Sequence, residues 1–336
     1  MVRLCRRGLD VGDVQREVLR TLRRAVPVDA AFFATADPET LLFTGARAEE
    51  PLAAQMQRFL ANEFDGSDVN RFAALATAPV HVGSLDAATR GERAASARYL
   101  EIMRPIGLGD ELRAALVADG LCWGYLCLHR EDDPAGFTPA EAALVARIGP
   151  HVAHALRQGL VLHRPPAGNP RPGVVLLDDQ LEMIATTPEA EHLLALLGGG
   201  DSRRPPLPVL GVAASLVHRA GTVLPSAHVQ TRDGRWLNLH ASWMEGPPGE
   251  RRIAVVVEPS EPRTSLGIVL AAHGLTPREQ EVARLVLRGA STAAICDALH
   301  ISRYTVQDHV TAVFDKAGVR SRRDLVGLLL GAHLGD

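Results

Sequence analysis

The sequence predicts a multidomain α+β chain: two antiparallel-sheet units followed by an all-α four-helix unit. Three observations carry this prediction. Two proline-bearing breaks, at 164–172 and 259–264, divide the chain, and such stretches do not sit inside helices or central strands. Ahead of the second break, short runs of β-branched and aromatic residues joined by tight turns alternate with helical segments. Behind it, helix-starting residues and glycine stops follow one another closely. The implied units are 10–163, 173–259 and 267–336.

Composition fits this division and excludes several classes of protein. Hydrophobic residues make up 46% of the 336 and charged residues 22%, as in a globular protein. Aromatics are only 4%, so the cores must be built mainly from Leu, Val and Ala. A net charge of −3 and a pI near 6.5 advertise no overall basic field. Of the 36 basic residues only Lys316 is a lysine, and it stands in Asp-Lys-Ala. A phosphate-cradling loop of the GK[ST] type needs its lysine, so that class of nucleotide hydrolase is excluded. A Schiff-base or kinase lysine ahead of residue 316 is excluded for the same reason.

The four cysteines, Cys5, Cys122, Cys127 and Cys296, are too scattered for a disulfide framework. An offset of five along one strand predicts that Cys122 and Cys127 point to opposite faces, which argues against a shared metal or bridge. No apolar run follows the first seven residues, and no stretch approaches the ~18 apolar residues of a membrane helix. A cytoplasmic location is expected.

In the first unit, Val11 to Val26 places Val14, Leu19 and Leu22 at helical spacing, with arginines opposite. Strands are expected at 30–34 and 41–43, around the turn Asp37-Pro38-Glu39. Two extended runs, 111–118 and 121–129, flank the tight turn Asp119-Gly120. Thr138-Pro139-Ala140-Glu141 is a capping box that launches a helix to about His163. This order of elements resembles a GAF domain, a sensor whose ligand the resemblance leaves open. It leaves any cofactor open as well.

The second unit reads as strand, turn, strand, then a helix opened by Thr187-Pro188, another near 209–219, a hairpin over 230–236 and a strand at 253–257. By element order it resembles a PAS domain. The pair Asp178-Asp179 suggests a phosphorylatable receiver, but a receiver also needs a lysine later in its sheet, and there is none. Control by phospho-aspartate is rejected.

The last unit carries the most specific signal. Thr276-Pro277-Arg278-Glu279 is another capping box, and Val282, Ala283, Leu285 and Val286 follow on one face before Gly289. Ser291 caps a second helix bearing Ile295, Ala298 and Leu299. The turn His300-Ile301-Ser302 leads to a third helix, 303–317, with Val306, Val310, Val313 and Phe314 inward and Gly318 at its end. Ser321 to Asp324 opens a fourth, through Leu325, Leu328 and Leu329. Two helices joined by so short a turn form a helix-turn-helix. The segments 275–283, 289–291, 301–306, His309 and 316–322 resemble the LuxR-type family of DNA-binding regulators.

The resemblance implies that the third helix enters the major groove of double-stranded DNA while the second crosses the backbone. Gln307, Asp308 and Thr311 then face the base edges, where Gln suits adenine, Asp accepts from cytosine and the Thr methyl meets thymine. Ser291, Thr292, Ser302, Arg303, Tyr304, Thr305, Lys316 and Arg322 are the expected phosphate contacts. The sequence departs from the family at Gln307, where a basic residue is usual, at Thr292-Ala293, where Asn-Lys is usual, and at Ala317, where leucine is commoner. From residue 267 onward eight basic residues face seven acids, a weak footprint for DNA. A homodimer on two half-sites is the physical remedy; the resemblance places its interface on Leu325, Leu328 and Leu329, a stripe that can equally pack against the unit's own core. RNA polymerase is the implied partner, and a small-molecule ligand the implied input.

Catalysis is not expected. His151 and His154 have the spacing of a metal pair but no acid or cysteine beside them in sequence, and no nucleophile elbow or zinc-protease motif occurs. Two alternatives to a one-component regulator stay open: a sigma-factor-like subunit, which needs a helical polymerase-binding region upstream, and a non-DNA ligand-binding protein that dimerises through its C-terminal bundle.

Overall fold

The first unit is an antiparallel sheet of order β2-β1-β5-β4-β3, in a computed structural model that describes residues 1–132, 135–162, 170–198, 204–218, 224–246 and 251–329. Its strands are β1 (Ala30–Ala36), β2 (Phe43–Ala48), β3 (Val82–Ser84), β4 (Leu108–Ala118) and β5 (Leu121–Glu131). Around them lie α1 (Val2–Cys5), α2 (Val11–Leu22), α3 (Met56–Asp65), α4 (Phe72–Thr77), α5 (Leu85–Thr89) and α6 (Pro139–Gly159). The central hairpin turns on Asp119 and Gly120, at φ 52° and 77°. Positive φ at both turn residues is what a type I′ turn requires.

Alternation along the strands buries both faces of this sheet. Phe33, Leu112, Leu126 and Leu128 meet Val18, Leu22, Val152 and Leu156 of α2 and α6. Phe32, Phe43 and Tyr125 meet Phe59, Phe64 and Phe72 of α3 and α4. Although aromatics are scarce in the chain, these six rings touch one another, Phe72 and Tyr125 stacking at 4.6 Å.

Three local expectations are corrected here. The strand expected at 41–43 begins only at Phe43 and runs on to Ala48, because Leu41 sits at φ 62° in the turn. The exit helix stops at Gly159, short of His163, which lies outside the described residues. Cys122 and Cys127 face the same cluster rather than opposite ones. The cause is a register shift between Leu116 and Val117, which makes Cys122 rather than Trp123 the partner of Val117. Such a bulge reverses the alternation beyond it. Both thiols are free and buried.

The second unit repeats the strand order of the first, as β7-β6-β10-β9-β8. Its strands are β6 (Gly173–Leu177), β7 (Met183–Thr186), β8 (Ser226–Gln230), β9 (Trp236–Glu245) and β10 (Arg251–Pro259), with helices α7 (Pro188–Leu196) and α8 (Leu207–His218). Asp178, the residue that suggested a receiver, builds the β6–β7 turn by accepting from the backbone N–H groups of Gln180 and Glu182. Eight consecutive residues of α8, Pro208–Ser215, are buried. A helix apolar on all sides needs cover on all sides. One side of α8 packs on its own sheet and the other on α3 and β2, so the first two units share one continuous core.

The expected break at 259–264 contains the start of a helix, α9 (Pro262–Ala272), with Pro262 where a first-turn proline is tolerated. Ile268, Ala271 and Ala272 enter the core of the first unit, while Leu270 enters the core of the last. The last unit consists of α10 (Pro277–Leu287), α11 (Thr292–Leu299), α12 (Arg303–Ala317) and α13 (Arg322–Leu329). Val282, Val286, Ile295, Val306, Val310, Val313 and Leu325 form its core. Among the described residues no helix is long and apolar enough to cross a membrane.

Candidate nucleic-acid interface

Each helix of the last unit starts on a residue that supplies its own cap. Thr276 and Glu279 form the reciprocal capping box of α10. Ser291 accepts from Ala294 N at 3.2 Å, and Ser302 from Thr305 N at 3.1 Å. Between α11 and α12, His300 adopts φ 54°, and this left-handed residue turns the chain back. Gly318, at φ 68°, ends α12 in the same way.

With Val306, Val310 and Val313 buried, Gln307, Asp308 and Thr311 are left exposed on the opposite face of α12. The side chains of Gln307 and Asp308 make no hydrogen bond or ion pair to described residues. The Thr311 hydroxyl donates to Gln307 O at 3.0 Å, back along its own helix. At the start of the same helix Ser302, Arg303 and Tyr304 are exposed, Tyr304 at 77%. The Ser302 and Thr305 hydroxyls lie 2.9 Å apart.

The remaining expected phosphate contacts have partners within the unit. Lys316 Nζ reaches the Glu279 carboxylate at 2.6 and 2.9 Å, tying the end of α12 to the capping box of α10. Burial raises the pKa of Glu279, but the bonds from Lys316 and the Thr276 backbone outweigh it and hold the carboxyl below its usual range. Arg322 donates to Ala290 O at 2.7 Å and to the Thr292 hydroxyl at 3.3 Å. It therefore braces the loop that leads into α11. Ser291, Thr292 and Arg322 thus form one cluster, Ser302 to Thr305 a second, and Lys316 stands apart.

The proposed dimer stripe is divided by packing. Leu325 is fully buried in the unit's own core, so it cannot present itself to a second copy. Leu329 packs partly on that core, and Leu328 is half-buried.

Residues 273–329 match bacterial regulatory proteins, luxR family. The C-terminal unit is a LuxR-type helix-turn-helix domain. Residues 10–156 match the GAF domain. Over 52 residues the chain is 48% identical to proteins of Mycobacterium bovis and Mycobacterium tuberculosis that are provisionally named HTH-type transcriptional regulators. That stretch is 16% of this chain and 6% of either relative's length. Among solved structures, the GAF domain/HD domain protein of Geobacter sulfurreducens is 16% identical (46% of this chain, 98% of that one, TM-score 0.28). Escherichia coli SdiA is 12% identical (98% and 94%, TM-score 0.35). Vibrio cholerae VqmA, described as a LuxR-type receptor, is 21% identical (32% and 52%, TM-score 0.18).

A constellation that sequence reasoning missed lies inside the GAF domain. Glu111 on β4 is fully buried and faces Arg98 at 2.8 Å and Arg113 at 2.9 Å. Arg113 also pairs with Glu63 of α3 at 2.6 Å and lies over the Phe59 and Phe72 rings. Burial would raise the pKa of Glu111, but Arg113 and Arg98 hold it far below the carboxylate range. Cys127 donates to Glu111 at 3.1 Å and lies 3.1 Å from His129 Nε2. Burial lowers the pKa of His129 to about 4 and pushes the Cys127 thiol well up. Glu111, Cys127 and His129 could in principle hold a metal ion. A cation there would displace two guanidinium groups from Glu111, so the cluster fits a structural ion network better. Its one sequence signal was the pair of charges at 111 and 113, two apart on a strand that is otherwise largely apolar. Finally, His154 lies 2.8 Å from Arg157, and that cation makes it a poor metal ligand.

Proposed function

We propose that the chain is a sequence-specific, DNA-binding transcriptional regulator whose LuxR-type domain reads duplex DNA under control of the GAF domain. One observation carries this reading: a recognition helix with an apolar face locked into the core and a polar face, Gln307, Asp308 and Thr311, left open to solvent. Ser302, Arg303, Tyr304 and Thr305 are proposed to meet phosphates, which their position at the start of the same helix supports. The relatives' names support regulation over catalysis. Among the described residues, the two sheet units upstream do not supply the helical region a sigma-like subunit would need.

The second unit, 173–259, is proposed to be PAS-like, which its strand order and flanking helices support. Function as a homodimer is proposed from the weak basic footprint. Leu328, rather than the buried Leu325, is the residue of the expected stripe least committed to the unit's own core. Recruitment of RNA polymerase and residence in the cytoplasm belong to the same proposal.

Selection of bound fragments from random duplex DNA, repeated over a salt series, tests the reading. A defined motif with affinity that falls steeply with salt is expected. Failure to enrich any motif, or binding that ignores salt, would refute it.

A further inference from the structure

Between the GAF domain and the second unit lies a cleft of about 560 Å³, bounded by α2, β1, β2, the end of α6 and the β8–β9 turn. This is the size of a small-molecule pocket. Inside the GAF domain, by contrast, the space beside Phe43, Glu63 and Phe72 is only about 10 Å³, room for one water at most. The aromatic cluster and the ion network occupy the interior.

The lining of the cleft has a definite chemistry. Arg47 of β2 and Arg232 of the β8–β9 turn are both exposed, come from different units and have no acidic partner among the described residues. Arg16, also in the lining, is held by Asp13. Around them stand oxygens with capacity to accept. Gln15 donates its amide N–H to Phe33 O at 2.9 Å, and Gln230 donates to Leu160 O at 2.8 Å, which leaves both amide oxygens available. Thr44 donates its hydroxyl to Thr35 at 2.8 Å, and Thr35 donates to Gly45 O at 3.3 Å. Both hydroxyl protons are therefore engaged, and each oxygen keeps a lone pair with which to accept. Asp10, the cap of α2, adds one carboxylate at the edge.

Two unpaired guanidinium groups among oxygens that can only accept call for an anion that also carries hydroxyl or amino donors. We propose that this cleft binds a small anionic metabolite of that kind, such as a sugar phosphate, with its acid group on Arg47 and Arg232. Because the two arginines belong to different units, the bound molecule ties the GAF domain to the second unit. The binding site rests on the cleft alone; only an effect of the ligand on DNA rests on the regulatory reading above.

Calorimetric titration of the full chain, without DNA, tests the proposal. Ribose 5-phosphate is the probe, with ribose and inorganic phosphate as controls for the two halves of its chemistry. Ribose 5-phosphate should bind about tenfold or more tightly than either control. Arg47→Gln and Arg232→Gln should each weaken it by about tenfold, with unliganded melting unchanged because both side chains are exposed. Absence of binding by ribose 5-phosphate, adenosine 5′-monophosphate and citrate alike would overturn the site. So would binding that survives both substitutions. A chain that binds ribose 5-phosphate but selects no DNA motif would keep the site and refute the regulatory reading.

Discussion

Asp37 of the first unit and His228 of the second form a buried pair across the boundary between them. One Asp37 oxygen accepts both from His228 Nδ1 at 3.0 Å and from the His228 backbone N–H at 2.8 Å. The bond to Asp37 raises the pKa of His228 against the opposing effect of burial. A histidine whose folded pKa is raised contributes stability that is complete below its unfolded value, about 6.5, and is lost as pH rises through the folded value. Cohesion of the two units is therefore expected to be complete below about 6.5 and to weaken as pH rises above it through the raised folded value. Melting of wild type and Asp37→Asn across that rise in pH checks it. A wild-type advantage that stays constant with pH would count against the protonated pair.

The readout face makes a different kind of prediction. Gln307→Ala should cost about 1–3 kcal/mol at one base position and relax the preference there. Arg303→Ala should weaken all sequences alike and reduce the salt slope. An unchanged selected motif for Gln307→Ala would mean that another face of α12 meets the bases.

Val306 is fully buried between α12 and its neighbours. Val306→Asp leaves a carboxylate there without a partner, a change in the class that unfolds marginal domains. The full-length variant should lose the melting transition of the LuxR-type domain while the transition of the sheet units remains. Retention of both transitions would contradict the core described above.

The double-sided packing of α9 predicts that the DNA-binding domain is docked, not tethered. Ile268→Ala removes a side chain that is 1% exposed in the GAF core, at an expected cost of about 2–5 kcal/mol. Protease cleavage near 259–276 should accelerate, and the solution radius should grow as the domain comes away. If neither changes, α9 does not hold the two parts together.

Removing Arg98 should be harsher than removing any surface arginine. Arg98→Gln leaves Glu111 buried with one fewer cation, and breaking a buried pair of this sort costs about 3–5 kcal/mol. A chemical melt of the full chain measures it. A loss within the ±0.5 kcal/mol or so typical of surface changes would show the network to be dispensable.

The LuxR-type domain was the most legible part of the chain. Its helices begin at Thr276, Ser291 and Ser302 because those side chains cap their own backbones, and α12 ends where Gly318 can adopt positive φ. Such signals act over three or four residues and need no tertiary context. The hairpin at Asp119-Gly120 was legible for the same reason. Where a distant partner decides, local reasoning failed. The bulge that turns Cys122 to the side of Cys127 comes from how β5 pairs with β4, not from either strand alone. Pro262 reads as a break but opens a helix, because the two faces of α9 are covered by two different cores.

The sequence by itself determined the order of the units, the caps and the inward stripe of the recognition helix, since each rests on backbone preferences and on the 3.6-residue period. Only the tertiary structure decided that α8 would be buried on all sides between two sheets. It likewise decided that Leu325 would serve its own core, and that Asp37 would meet His228 across 191 positions of chain. Contacts so far apart in sequence are set by how whole apolar faces find cover, and no short stretch of residues encodes the surface that will cover it.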